Sequence, residues 1–540
     1  MKSHRKRFVP LLLCLALLAS TLGAFSPAQA DGAVYVNDGQ STLSGPLSSC
    51  YAAGSGGTSN ISGNYVLTEA GIVQLGSSPD GGGTTAPNGM IVRVGLDYYY
   101  SASRNSAVAA ANLKNSVGSG YQFGYYDGNR SFHALGYTGQ TALTMLPAAA
   151  GGGNVCIKLR TAYSSFEAAS SVAANYYAAF PAYLYGQYFV LIGGYNSAGA
   201  AQNAMAKLGV AGDIYTGSSR CVAVTVSNTY TTLFLFDCGA DATLAVRPAS
   251  GSGKALTAYN GKTYYGDFAF LRYVGSALTV INYVGIDDYV KGSISMEMEP
   301  SWPIEALKAQ AVCARSYYYV NRTQYNSYGF DVTDDGYSQS YVGTYRSTAN
   351  SDAAADQTAG QYLAYNGQVC TTFYFASDGG GTENCENVFT AALPYLRGVN
   401  DPYEADVPAS LNSYKSWSRT ISADALAAKL AAATGYSGGA ITDIQVYYSN
   451  TNNVIKLVMS DASGVSGTLT KSNCCNSLGL PSIHYTISQS GSNFIFSGSG
   501  WGHNVGMSQW GAYSMAKYHG MNYRQILQFY FTGTSITTLG

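Results

Sequence analysis

The apolar positions of this chain change period several times. Residues 90–99, MIVRVGLDYY, and 117–136, VGSGYQFGYYDGNRSFHALG, alternate apolar and polar side chains between turn signals, as antiparallel strands do. They predict a small β-rich domain over residues 89–150. Two later segments, 156–177 and 188–208, share one scheme: an apolar strand ending in Tyr, a Ser-containing turn, then an Ala-rich helix. Residues 151–240 therefore read as a region of repeated strand–helix units. From Leu244 the pattern is β-like again, and the run 278–298, LTVINYVGIDDYVKGSISMEM, reads as a strand that delivers Glu297 to its end. A helix should begin near Pro303, because Ser301 and Pro303 are helix-start residues and Glu305 sets a carboxylate in the first turn, where the helix dipole favours it. Ala306, Ala309, Ala311 and Ala314 surround Leu307 and Val312 there, so this helix should be buried and closely packed. Residues 31–88, rich in Gly, Ser and Thr, read as a short β segment and a linker. The fold class expected is α+β, multidomain, with a β-rich N-terminal half.

Residues 1–30 add a basic start, an apolar stretch and Ala28-Gln29-Ala30 before Asp31, the form of a cleavable signal peptide; the alternative is an uncleaved anchor. An extracytoplasmic protein is expected, secreted or wall-associated, which meets a membrane only if the signal is retained. Removing residues 1–30 takes away Lys2, Arg5, Lys6 and Arg7 and no acid, so the formal net charge goes from −1 to −5. With 11% charged residues, such a surface argues against nucleic acid as a partner. The 47 Tyr and 63 Gly instead supply aromatic faces and polar loops that suit an uncharged polymer such as a glycan, or reflect secretory composition alone. Nine of the ten cysteines lie outside the leader, an odd number. Cys221 with Cys238, Cys370 with Cys385 and the vicinal Cys474-Cys475 are candidate disulfides, whereas Cys313 reads as a small apolar filler of the buried helix.

In so charge-poor a chain, Glu297 and Glu299 just ahead of a helix mark a place for acid/base chemistry. Lys308 and Arg315, seven residues apart, fall on one helix face. Residue types alone favour a core helix with two solvated cations. The spacing is more specific. Glu297-Met298, then Glu305-Ala306-Leu307-Lys308-Ala309-Gln310-Ala311, then Ala314-Arg315, resembles the signature of the stage II sporulation protein D and amidase enhancer (SpoIID/LytB) family. Residues 377–404, SDGGGTENCENVFTAALPYLRGVNDPYE, and 497–536, with Gly500-Trp501-Gly502-His503 and Gly506-Met507-Ser508-Gln509, resemble two further motifs of that family in the right order. The resemblance covers 241–540 and implies an α+β catalytic domain with a cleft. Residues 188–208 also resemble a sporulation-related repeat (SPOR) domain, which in its family binds glycan strands lacking stem peptides; the alternative is a purely structural strand–helix unit.

What the resemblance implies is a peptidoglycan lytic transglycosylase. Breaking a glycosidic bond needs a carboxylic acid still protonated near neutral pH, and the apolar neighbours Met296, Met298 and Trp302 suit a desolvated glutamate. Glu297 is the expected catalytic acid/base: it protonates the bond between N-acetylmuramic acid and N-acetylglucosamine, then helps the muramyl C6 hydroxyl attack C1 to leave a 1,6-anhydro end. Glu299 is expected to be a bystander. Arg315 and Lys308 are implied as substrate-side cations, with Tyr414, Lys415, Ser377, Glu383, His503 and Gln509 lining the cleft; capping side chains of Gly-rich turns are the alternative for Ser377 and Glu383, and a structural hydrogen bond for His503. Some relatives carry Cys and His-Cys after Phe-Asp, but Thr333, Tyr337 and Ser338 stand here, so neither a metal nor a cofactor is expected. Glycan strands and a cell-wall amidase are the implied partners. The competing reading is a non-catalytic wall-binding protein or amidase enhancer.

Overall fold

The computed structural model describes residues 90–539, apart from 149–154, 252, 274, 276 and 390, together with the paired strands Asn64–Thr68 and Gly71–Leu75. The leader 1–30 lies outside the described residues. The fold is α+β. The chain forms two compact units, one made of the described residues up to Tyr289 with Arg322–Tyr345, the other of Val290–Asn321 and Arg346–Gly540.

Two sheets build the first unit. A seven-stranded sheet runs from Val332–Thr333 through Ile91–Asp97, Thr279–Gly285, Asp267–Leu271, Leu244–Ala249 and Gly120–Tyr126 to Phe132–Thr138. A ten-stranded sheet runs from Gly212–Tyr215 through Val155–Leu159, Gln187–Tyr195, Ala179–Leu184, Thr232–Asp237, Val222–Val226, Ala142–Pro147, Ala111–Asn115 and Thr257–Tyr259 to Lys262–Tyr264, and the helices Phe166–Ala173 and Ala198–Leu208 belong to its strand–helix repeats. Their predicted serine starts are Ser165 and Ser197, whose side chains accept from the amides of Ala168 and Ala200. The regions expected at 89–150 and 151–240 do not form separate sheets. Residues 120–126 pair with 244–249, and 142–147 pair with 222–226, because sheet partners are chosen by apolar faces rather than by chain order.

One element differs from the pattern read along the chain. The strand Thr279–Gly285 stops at Gly285, and the next residues form the helix Ile286–Glu297. Ile286, Val290 and Ile294, four residues apart, are all fully buried, so the apolar period has already changed from 2 to 3.6. Asp287 and Asp288 in its first turn suit the positive end of the helix dipole. Glu297 therefore ends a helix, not a strand.

In the second unit the helix Ile304–Asn321 is buried over nearly its whole length, including Ala306, Ala309, Ala311 and Ala314. Small side chains let the helix Ala349–Gln357, the strand Gln361–Tyr365 and the helices Gln509–Tyr518 and Tyr523–Tyr530 all pack against it. Residues 417–498 add two three-stranded sheets and the helix Ala423–Thr434. The eight described cysteines are buried and none of them is joined in a disulfide, so the three candidate disulfides are not formed here. None of the described helices is long and apolar enough to cross a membrane. Ile294→Ala should leave a cavity that costs about 2–5 kcal/mol, read as a lower urea midpoint.

Candidate active site

The loop between Glu297 and the buried helix is held tightly. Met298 and Trp302 donate backbone N–H groups to Ile294 (3.0 Å) and Glu299 (2.9 Å), and the Asn350 amide donates to the carbonyls of Pro300 and Trp302, both at 2.9 Å. Glu297 is half-buried at the helix end, beside Met298, which is buried. Two residues on, a groove of about 520 Å³ opens, lined by Glu299, Ser301, Trp302, Pro303, Leu411, Trp510, Tyr513, Ala516 and Lys517. The Trp302 ring packs at a tilt against Trp510 (4.5 Å between centroids) and Tyr513 (4.9 Å), so three rings cluster on one side of the groove. Glu299, expected to be a bystander, lines the same groove and pairs with Arg346 at 2.9 Å.

The expected cations are not free in the groove. Arg315 is completely buried, and its guanidinium donates to the carbonyls of Ala311 (3.4 Å), Gln361 (3.3 Å) and Ala355 (3.3 Å). A polymer cannot touch it in this conformation. Lys308 pairs with Glu305 at 2.7 Å, and the second oxygen of Glu305 accepts the backbone N–H of Tyr523 at 2.9 Å. This carboxylate thus satisfies an orphan donor at the start of the helix Tyr523–Tyr530.

Ser377 leads to a group that sequence reasoning missed. Its hydroxyl donates to Glu404, as do Asn412 (3.1 Å), the backbone N–H of Asp378 (2.9 Å) and the Ser508 hydroxyl (2.7 Å). Four donors therefore saturate the two oxygens of a buried carboxylate. Asp401 lies beside it, accepting from the Tyr403 N–H (2.8 Å) and the Tyr530 hydroxyl (2.6 Å). Asp378, fully buried, accepts the Gly380 N–H (2.8 Å), and its second oxygen meets no donor among the described residues. One oxygen from each of the three carboxylates lies within 4.8 Å of the others, a set that could hold a hard cation. The donor count favours a proton instead, since Glu404 has no lone pair to spare. Burial, then repulsion from Glu404 and Asp401, pushes the Asp378 carboxyl well above its usual range. Burial raises Glu404 as well, but its donors oppose that, so the proton rests on Asp378. The signal in the sequence was slight: acids inside Gly- and Pro-containing turns of a charge-poor chain.

The other predicted residues gather around the same loops. Ser377 and Trp501 exchange backbone hydrogen bonds at 3.2 and 2.7 Å, and the Tyr414 ring lies 4.7 Å from the Trp501 ring. Lys415 donates to the carbonyls of Ala405 (2.7 Å) and Val407 (2.8 Å). Glu383 is buried and bound by Asn384, Asn387, Ser449 and Thr451. Gln509 begins the helix Gln509–Tyr518 and is nearly buried. His503 sits among Phe373, Phe375 and Phe389, with ring centroids 5.2–6.0 Å away. Part of its edge reaches the surface, yet the rings exclude water and push the imidazole pKa down to about 4. Its neutral Nδ1 accepts the Val505 N–H at 3.1 Å. Thr333 donates its hydroxyl to Asp335 (2.8 Å) and lies 3.2 Å from the Ser338 hydroxyl, while Tyr337 is exposed.

Residues 274–365 match the model of the SpoIID family, described as Stage II sporulation protein. The chain is 30% identical over 278 residues to the stage II sporulation protein D of Bacillus subtilis (strain 168), spanning 48% of this chain and 76% of that one. It is 28% identical over 340 residues to the amidase enhancer of the same organism, covering 55% of this chain and about half, 47%, of that protein. It is 37% identical over 285 residues to an uncharacterized protein of Brachyspira hyodysenteriae (strain ATCC 49526 / WA1), 51% of this chain and 73% of that one. The chain belongs to the stage II sporulation protein D family.

Two outcomes follow for stability. Glu404→Gln should cost about 2–5 kcal/mol by leaving buried donors unpaired. Asp378→Asn should cost little, and because a raised carboxyl pKa makes stability fall as pH rises, its melting temperature should gain on wild type from about pH 4 upward; a thermal melt series checks both. For His503 the sign is opposite. An imidazole with a depressed pKa stabilises the fold above the unfolded value near 6.5, and that stability is lost as pH falls toward about 4. His503→Asn should flatten the fall in melting temperature over this window.

Proposed function

We propose that this protein is an exported peptidoglycan lytic transglycosylase that cuts the N-acetylmuramyl–N-acetylglucosamine bond of glycan strands, in sporulation or wall remodelling. The observation that carries this reading is the aromatic groove lined by Trp302, Trp510 and Tyr513, which opens two residues from the half-buried Glu297. Flat rings present apolar faces to the C–H faces of sugars, and Ser301, Glu299 and Lys517 offer polar atoms to their hydroxyl edges. Glu297 donates its proton to the glycosidic oxygen and takes one from the muramyl C6 hydroxyl, which then closes on C1. One carboxyl serves both steps, so no second acid is needed opposite it. Arg315, being buried, acts on the reaction by fixing the helix that follows Glu297 and not by touching sugar. Ser377, Glu383 and His503 serve in the same way, by holding the loops around the Glu404 network.

The second reading is an enhancer of a wall amidase that binds glycan without cutting it; the likeness to the amidase enhancer supports it. Digestion of peptide-free glycan strands separates the two. Wild type should yield 1,6-anhydro-muramyl ends by mass spectrometry, and Glu297→Gln should lower the rate by at least about 100-fold while still pelleting with sacculi. Equal yields from both proteins, or no anhydro ends from wild type, would contradict the transglycosylase reading.

A further inference from the structure

The abundance of tyrosine has a second outlet, in the unit that contains residues 322–345. There Tyr100, Tyr328 and Tyr273 form a ladder: the Tyr100 and Tyr328 rings are 5.0 Å apart and those of Tyr328 and Tyr273 are 5.3 Å apart. They come from three separate segments: the short strand Tyr99–Ser101, the 3-10 turn Asn326–Tyr328 and the loop after Asp267–Leu271. Beneath them Tyr98, Tyr325 and Phe330 are buried in a core cluster, and Tyr325 stacks on Phe330 at 5.5 Å. The lower layer fixes the upper one, so ordering the rings costs little when something binds.

At the ladder's edge the Arg104 guanidinium lies 3.4 Å from the Tyr337 ring centroid and 5.1 Å from that of Tyr100. It pairs with Asp335 at 3.3 Å, and the Tyr98 hydroxyl donates to the same carboxylate at 2.9 Å. Tyr100 is 42% and Tyr337 53% exposed, and 44% of the Asp335 side chain faces solvent. Exposed rings grouped in this way mark an interaction surface.

The chemistry of the patch selects its occupant. Arg104 and Asp335 cancel in charge at the exposed edge of the ladder, which favours an uncharged polymer there over a phosphate one. A pyranose fits: its C–H face lies on a ring, and its hydroxyl and acetamido edge meets the carboxylate and the phenols. We propose that the Tyr100–Tyr328–Tyr273 ladder, with Arg104, Asp335 and Tyr337, is a saccharide-binding site that grips the glycan strand separately from the groove lined by Trp302, Trp510 and Tyr513. It rests on the glycan reading of that groove and adds a second anchoring point outside residues 151–240.

The test uses the full chain and two readouts. Binding of a β-1,4-linked N-acetylglucosamine hexamer is measured by calorimetry in the Glu297→Gln background, and anhydro-end formation on peptide-free strands is measured with Glu297 intact. The double variant Tyr100→Ala/Tyr337→Ala should bind the hexamer at least about fivefold more weakly, with its melting temperature within a degree or two of its parent. Tyr230→Ala, at a tyrosine 65% exposed in the same unit, should bind as its parent does. Unchanged binding in the double variant, while wild type still produces anhydro ends, overturns the ladder alone. A wild type that neither binds nor cuts overturns the glycan reading with it. If the double variant instead loses self-association by sedimentation velocity and keeps saccharide binding, the ladder is a contact between copies and the proposal falls.

Discussion

Burial of one helix through its central turns governs the second unit. From Ala306 to Ser316 every residue of Ile304–Asn321 except Lys308 is buried, so its close contacts are made by alanines, whose small side chains let the elements around it pack closely. That constraint has a cost, because Arg315 is enclosed with them. A buried guanidinium must find acceptors, and the carbonyls of Ala311, Ala355 and Gln361 provide them. The same side chain that looks in sequence like a substrate cation therefore ties the helix to its neighbours. Replacing it would leave several carbonyls unpaired, so a loss of activity on mutation cannot by itself assign it to the substrate.

Glu404 plays the equivalent part among the loops. Residues 377–378, 401–404, 412 and 508 are far apart along the chain, yet all supply donors or neighbours to one buried carboxylate cluster. Loops have few apolar side chains with which to hold a shape, and an ionised acceptor with four donors does so instead. The groove wall inherits this rigidity, since Ser508 both donates to Glu404 and caps the helix Gln509–Tyr518 that carries Trp510 and Tyr513.

Local signals made part of this architecture legible before any coordinates. The alanine helix, its start near Pro303 and the serine-capped repeats at Ser165 and Ser197 depend on neighbours a few residues away, and they stand where the sequence predicts. The change from strand to helix at Gly285 was hidden, because Val280, Ile281, Val284, Ile286, Val290 and Ile294 form one β-branched series and only their spacing changes. The burial of Arg315, the Glu404 cluster and the tyrosine ladder were out of reach for a different reason. Each is assembled from segments tens to hundreds of residues apart, and no periodicity along the chain encodes which distant segment a side chain will meet.

The central claim is that Glu297 and the aromatic groove act on one sugar chain. A crystal structure of the Glu297→Gln protein with a peptide-free glycan oligomer tests it most directly. The account predicts sugar rings against Trp302, Trp510 and Tyr513, with a glycosidic oxygen within about 2.6–3.2 Å of the residue 297 side-chain amide. An oligomer bound elsewhere, or lying in the groove with no glycosidic oxygen near residue 297, would contradict it.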